Sequence, residues 1–349
     1  MDKSKSGWCR ELTVWIGTAN KQYASYAMEE LRRQFEGMSL SQLSPGETFL
    51  MQLPQGRDEV LESIQARKPI FLRHLQPVDA SRAMSLDADD LDWLSDWLRL
   101  ARGQLAGQRV GVHIRKAEGS PFPYSAADAR AVLDAVLAEA GAEPAHKQPD
   151  ALVAVYASRD TLYAGIGTPQ EMLSDWPGGA VRFQREDGQI SRAKFKLLEA
   201  EREFGLDYSR YSRALDIGAA PGGWTSLLLE RGLKVTAVDP AELHPSLQAY
   251  RTLTVLRKNA SEVKFAPGSF DLLVCDMSWS PMQMCRLVLD LAPALQSGGT
   301  AIVTIKLMHR KPLQTIREVM QRFGEAFEIV GARQLFHNRE EMTLCMTKR

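Results

Sequence analysis

Four charged residues in the second half of the chain stand at or beside the ends of apolar runs. They are Asp216 within 214–217, Asp239 after 234–238, Asp276 after 271–275 and Lys306 after 300–305. Such runs suit strands buried on both faces, as in a parallel sheet. In open α/β sheets, ligands bind beyond the carboxyl ends of the strands, so the four side chains would gather at one rim. Carboxylates there accept hydrogen bonds from ribose hydroxyls or amines, and a partly buried lysine can give or take a proton. A single charged residue closing a strand is commonly a solvated terminus. Four on one rim, beside a glycine-rich turn, make a cluster.

The turn is Gly218-Ala219-Ala220-Pro221-Gly222-Gly223-Trp224. Gly218 allows a sharp turn and close approach of a ligand. Pro221 is expected to pre-set φ for a helix start, with Gly222 and Gly223 leaving room at its mouth. A helix over 225–231 would close at Gly232. Asp239 follows the turn by about twenty residues, the spacing of an acid that binds ribose hydroxyls. A dehydrogenase also uses a glycine turn here, but its Gly-x-Gly-x-x-Gly spacing is absent and Asp216 lies inside the first strand. The form Asp-x-Gly-Ala-x-Pro-Gly-Gly-Trp resembles the S-adenosyl-L-methionine loop of class I methyltransferases, and within them the FtsJ-like ribose 2′-O-methyltransferases. The resemblance implies that Asp216 and the backbone of Gly218, Ala220, Pro221, Gly222, Gly223 and Trp224 face the methionine end of that cofactor. It puts Asp239 on the ribose, Asn259 near the adenine amine where the family has an acid, and Asp276 beside the reacting end.

FtsJ-like enzymes carry a Lys-Asp-Lys-Glu tetrad. By resemblance its members are Lys196 in Ser191-Arg192-Ala193-Lys194-Phe195-Lys196-Leu197, Asp276, Lys306, and Glu341 before Met342-Thr343-Leu344, with Glu340 as the register alternative. The chemistry is coherent. A methyl sulfonium is already activated, so attack by a ribose hydroxyl is an in-line displacement that needs position and a proton acceptor, and no metal. Lys306 is the expected base, its neutral form favoured by partial burial and the neighbouring cation Lys196. Asp276 and Lys196 would orient, and Asp276 and Glu341 would hold both lysines. Trp279, just past Asp276, either stacks on an RNA base or packs as an ordinary aromatic.

These residues need a frame. Strand and helix patterns alternate from 214 onward and end in a hairpin over 327–336 and 342–347, which predicts a mostly parallel, doubly wound, Rossmann-like sheet. The first 85 residues read as a small α/β, ferredoxin-like unit with strands at 11–17, 48–53 and 70–75 and helices at 23–35 and 58–65. A single amphipathic helix is expected over 87–105. Residues 86–170 then give a strand at 110–114, a helix capped by Ser125 with Asp128 three residues on, and a hairpin over 152–157 and 161–166. That order resembles a THUMP domain, an RNA-binding module. Trp176-Pro177-Gly178-Gly179 reads as part of a linker over 171–190, followed by a charged stretch with Arg182, Arg185, Glu186, Asp187 and Arg192. The FtsJ-like domain would span 191–349. The layout is similar to that of cytidine 2′-O-methyltransferases of bacterial large-subunit ribosomal RNA. The matching strings are Trp176-Pro177-Gly178-Gly179, Ser191-Arg192, Lys196-Leu197, Cys275-Asp276-Met277 and 333–341.

Composition bounds the partners. The chain has 349 residues, with Lys plus Arg and Asp plus Glu both 43, so RNA contact must come from local basic patches. Cys9, Cys275, Cys285 and Cys345 form no Cys-x-x-Cys pair, which argues against a zinc site or a disulfide framework. The polar start and the lack of a long apolar run predict a cytoplasmic protein without a membrane segment. No residue pattern specifies an oligomeric state. Two alternatives stand beside the ribosomal reading: a 2′-O-methyltransferase of another RNA such as transfer RNA, and a cofactor-holding, RNA-binding ribosome assembly factor without turnover. The intact Lys196, Asp276, Lys306 and Glu341 set argues against the second.

Overall fold

The computed structural model describes residues 12–184, 188–307 and 311–349. Cys9, the strand start at Glu11, and Arg185, Glu186 and Asp187 lie outside the described residues. The chain divides into two compact units, Met1–Ala180 and Val181–Arg349.

The first unit opens with β1 (Thr13–Thr18), α1 (Ala24–Gln34), β2 (Ser39–Ser44), β3 (Thr48–Leu53), α2 (Arg57–Ala66) and β4 (His74–Pro77). The antiparallel sheet has the order β2-β3-β1-β4, the β-α-β-β-α-β arrangement of ferredoxin-like sheets. Two features depart from the sequence reading. Strand β2 is polar and largely exposed, so it carries little apolar alternation; it exists because it pairs along the edge of β3. Strand β4 starts at His74, not at residue 70, because the carboxylate of Glu30 takes the amides of Ile70 (3.0 Å) and Phe71 (2.9 Å). Those two amides are thereby withdrawn from any ladder with β1.

A second sheet follows from β5 (Ala80–Ala83), α3 (Asp89–Leu100), α4 (Arg102–Leu105), β6 (Arg109–Lys116), α5 (Ala126–Glu139), β7 (Glu143–Pro144), β8 (Ala151–Ala157) and β9 (Thr161–Gly167). Its order is β5-β9-β8-β6-β7. The single helix expected over 87–105 is broken at Ala101 into α3 and α4. Ser125 caps α5, its hydroxyl accepting from the Asp128 amide at 3.1 Å. The turn Pro177–Gly179 is not a free linker. Gly178 and Gly179 are buried, and the Gly178 carbonyl accepts from Arg73 Nε at 2.9 Å. A Cβ on Gly178 would meet the Arg115 guanidinium at 2.6 Å.

The second unit contains α6 (Ala193–Phe204), β10 (Arg213–Ile217), α7 (Gly223–Glu230), β11 (Lys234–Val238), β12 (Leu253–Leu256), β13 (Phe270–Cys275), α8 (Pro281–Leu291), β14 (Leu295–Lys306), α9 (Pro312–Phe323), β15 (Phe327–Arg333) and β16 (Glu341–Lys348). One seven-stranded sheet has the order β12-β11-β10-β13-β14-β16-β15. Strands β10 to β14 are parallel, and β16 inserts antiparallel between β14 and β15. The strand order reverses between β10 and β13, the switch point where such sheets bind ligands. Strand β13 is buried along its whole length and β14 from Gly299 to Ile305, which explains their apolar runs. Among the described residues no helix is long and apolar enough to cross a membrane.

Candidate active site

The glycine loop leaves β10 at Gly218, whose φ of +74° is left-handed. A Cβ there would lie 2.2 Å from Met277 Cγ, so the loop passes directly against the residue after Asp276. Pro221 does not open the helix as expected. The Ala220–Pro221 peptide is cis, Gly222 sits at φ +114° before the helix, and α7 starts at Gly223. The Trp224 side chain is buried and donates Nε1–H to the Ala193 carbonyl at 2.8 Å, tying α7 to the start of α6.

Asp216 lies beneath this loop and is 1% exposed. Its Oδ2 accepts from Thr225 Oγ1 at 2.5 Å. Burial pushes its pKa up to about 7; the Thr225 hydroxyl opposes the rise, and the carboxylates of Asp276 and Asp239 add to it. Asp239 closes β11. Its Oδ2 accepts from the Ala220 amide (3.0 Å) and its Oδ1 from the Ala241 amide (2.8 Å). Each oxygen keeps a lone pair for a hydroxyl. Asn259 follows β12 and is exposed; it caps the turn 260–262, with its Nδ2 donating to Glu262 Oε1 at 3.1 Å. Trp279 stands 38% exposed on the loop after β13.

The structure brings Lys196, Asp276 and Glu341 into one ion cluster. Lys196 Nζ donates to Asp276 Oδ1 (3.0 Å) and Oδ2 (3.2 Å) and to Glu341 Oε2 (2.6 Å). Burial alone would lower the Lys196 pKa; the two carboxylates outweigh it and raise the value, so this lysine stays an ammonium. Thr304 Oγ1 donates to Asp276 Oδ1 at 2.7 Å and fixes the carboxylate from β14. The sequence reading missed this threonine, although it stands two residues before Lys306 and so on the same strand face. Glu341, not Glu340, meets Lys196.

Lys306 lies directly across the ladder from Glu341. It is half-buried and makes no hydrogen bond or ion pair with another described residue. The expectation that Asp276 and Glu341 would hold both lysines is therefore corrected: Lys196 takes both acids and leaves the Lys306 amine open. The donor set fits S-adenosylmethionine. The carboxylates of Asp239 and Asp276 suit a cationic, hydroxyl-bearing ligand, and Gly218 and Gly222 hold the loop at positive φ close against Met277 and Leu247.

Comparison with known proteins matches part of the chain. Residues 189–343 match the FtsJ-like methyltransferase family model. The chain is similar to "Ribosomal RNA large subunit methyltransferase M" of Halorhodospira halophila, 38% identical over 190 residues, 52% of this chain and 53% of that one. The protein of that name in Pseudomonas aeruginosa is 30% identical over 227 residues, 60% and 62% of the two chains. The match thus spans about half the length of these curated relatives. Among solved structures, TrmN from Thermus thermophilus aligns over 96% of this chain and 100% of its own at 16% identity, with a TM-score of 0.41.

Proposed function

We propose that residues 189–343, an FtsJ-like methyltransferase domain by family match, transfer a methyl group from S-adenosylmethionine to a ribose 2′-hydroxyl of RNA. The observation that carries this reading is the division of labour between the lysines: Lys196 is bound to Asp276 and Glu341, while Lys306 stands open beside them. The bound cofactor supplies an electrophilic methyl group on a sulfonium. Everything else falls to the chain. Asp239 and the 218–224 backbone hold the cofactor, with the buried Asp216 supporting the loop from beneath through the Thr225 hydroxyl. Lys196 neutralises Asp276 and Glu341 and fixes them in place, assisted by Thr304. Lys306 takes the hydroxyl proton as the oxygen attacks in line.

The substrate we infer is a cytidine of large-subunit ribosomal RNA, acted on in the cytoplasm. The names of the curated relatives support the ribosomal part, and the THUMP-like order of the first unit supports RNA contact. The test is transfer of labelled methyl from S-adenosylmethionine to total RNA of a strain lacking the protein, followed by nucleoside digestion. The expected product is 2′-O-methylcytidine in large-subunit RNA. Label in transfer RNA would replace the substrate, and no label in free RNA or ribosomal particles would overturn the reading. Lys306→Ala should lower kcat by roughly 10²–10⁴-fold, the usual contribution of a positioned base, with cofactor affinity unchanged. Near-normal turnover of that variant would refute the base assignment.

A further inference from the structure

Helix α6 grips the chain that leads into β16 at two points. The first is the Lys196–Glu341 pair at 2.6 Å. The second is Glu199, one turn along the same helix. Its carboxylate is buried and accepts from the amides of Phe336 (2.7 Å) and His337 (2.9 Å), and it meets His337 Nδ1 at 2.7 Å. The His337 ring is packed against Phe183 and Phe195, with centroids 5.5 and 5.4 Å away. Beyond it, the buried Asn338 side chain accepts from the Leu335 amide (2.9 Å) and Thr343 Oγ1 (3.0 Å). The approach to Glu341 is thus fixed from both sides.

A carboxylate closed on two amides is used elsewhere in the molecule. Glu30 holds Ile70 and Phe71, and Asp271 holds Ser212 and Arg213. Neither of those clamps joins two elements that lead to the proposed tetrad; Asp271 ties β13, which leads to Asp276, only to the start of β10. Glu199 does join two such elements, because α6 bears Lys196 and β16 begins at Glu341. Where Glu341 reaches matters, since it stands opposite Lys306 in the ladder. It has two cations within choice: Lys196, which it binds, and Lys306, which it leaves open.

We infer that Glu199 is a positioning residue that commits Glu341 to Lys196 and so keeps the Lys306 amine unpaired. The inference rests on the proposed roles of the tetrad and deepens them. In Glu199→Gln one acceptor oxygen becomes an NH₂ that faces a donating amide, so the clamp opens and Glu341 can turn to Lys306.

The test is competitive labelling of the full chain with acetic anhydride, read by mass spectrometry against the exposed Lys234. In the wild type Lys306 should react faster than Lys196. In Glu199→Gln the Lys196 to Lys306 labelling ratio should rise roughly tenfold, the factor carried by one charge-assisted hydrogen bond, while S-adenosylmethionine affinity holds and kcat falls. Labelling needs no RNA, so it stands or falls separately from the methylation assay. A folded Glu199→Gln protein with the wild-type ratio would overturn the inference. So would a general rise in labelling of all lysines, which would mark Glu199 as a packing residue. Glu199→Asp, which keeps the charge but retracts it by one methylene, serves if the glutamine variant does not fold, and failure of both to fold would likewise assign Glu199 to packing alone.

Discussion

Asp216 should make the fold lose stability as pH rises. The side chain is 1% exposed, and burial, together with the neighbouring Asp276 and Asp239 and against the Thr225 hydroxyl, lifts its pKa to about 7. In the unfolded chain an aspartate titrates near 3.9. Between about pH 4 and 7 the native state therefore keeps a proton that the unfolded state has released, so raising the pH favours unfolding. The slope approaches about 1.4 kcal/mol per pH unit, and the whole window amounts to about 4 kcal/mol, complete above about pH 7. Asp216→Asn retains an oxygen for the Thr225 hydroxyl and removes the titration. The assay is urea unfolding of wild type and variant from about pH 4.5 to 8, followed by circular dichroism. Burial of the new amide adds an offset that does not change with pH. The pH-dependent part of the difference should move in the variant's favour by about 3–4 kcal/mol across that range. A difference that stays flat would refute the assignment of a protonated, buried Asp216.

Three further outcomes follow from single contacts. Thr304→Val removes the 2.7 Å bond to Asp276 from a buried site; stability should fall by about 1.5–3 kcal/mol, the range for a bond to a charged group, and kcat should fall more than cofactor affinity, as steady-state kinetics with calorimetry would show. Gly218→Ala places a Cβ 2.2 Å from Met277 Cγ at a left-handed φ; thermal unfolding should report a loss of at least about 1–2 kcal/mol, with weaker S-adenosylmethionine binding. His113 is held neutral down to about pH 4, by burial first and then by the charges of Arg130 and Arg115 against Asp175. The unfolded chain takes up that proton near pH 6.5, so the first unit should lose about 3 kcal/mol between about pH 6.5 and 4. His113→Gln should flatten that acid limb in unfolding experiments, and an unchanged limb would place the acid lability elsewhere.

Much of the second unit is legible in the sequence because its signals are local. Buried parallel strands appear as unbroken apolar runs, and the residues closing them (Asp239, Asp276 and Lys306) fall at one rim whatever the rest of the chain does. Gly218 and Gly222 mark left-handed backbone, which other residues rarely adopt. Features without a local signal were misread. Strand β2 is polar because it lies on an edge, and β4 starts late because Glu30 takes amides forty residues away. The Trp176-Pro177-Gly178-Gly179 string has linker composition, yet its glycines serve close packing on Arg73 and Arg115.

The partners in the site lie further still from local pattern. Residue types and spacing determined that Asp216, Asp239, Asp276 and Lys306 stand near the glycine loop, since a strand end depends on a few neighbouring residues, whereas Lys196 and Glu341 were indicated only by the family resemblance. Which lysine takes the acids was decided by the tertiary structure alone. Lys196 reaches Asp276 across 80 residues of chain and Glu341 across 145. Such contacts arise only where α6 packs beside β13, β14 and β16. An ion pair depends on distance in space and on desolvation, and neither is written in the order of residues along the chain.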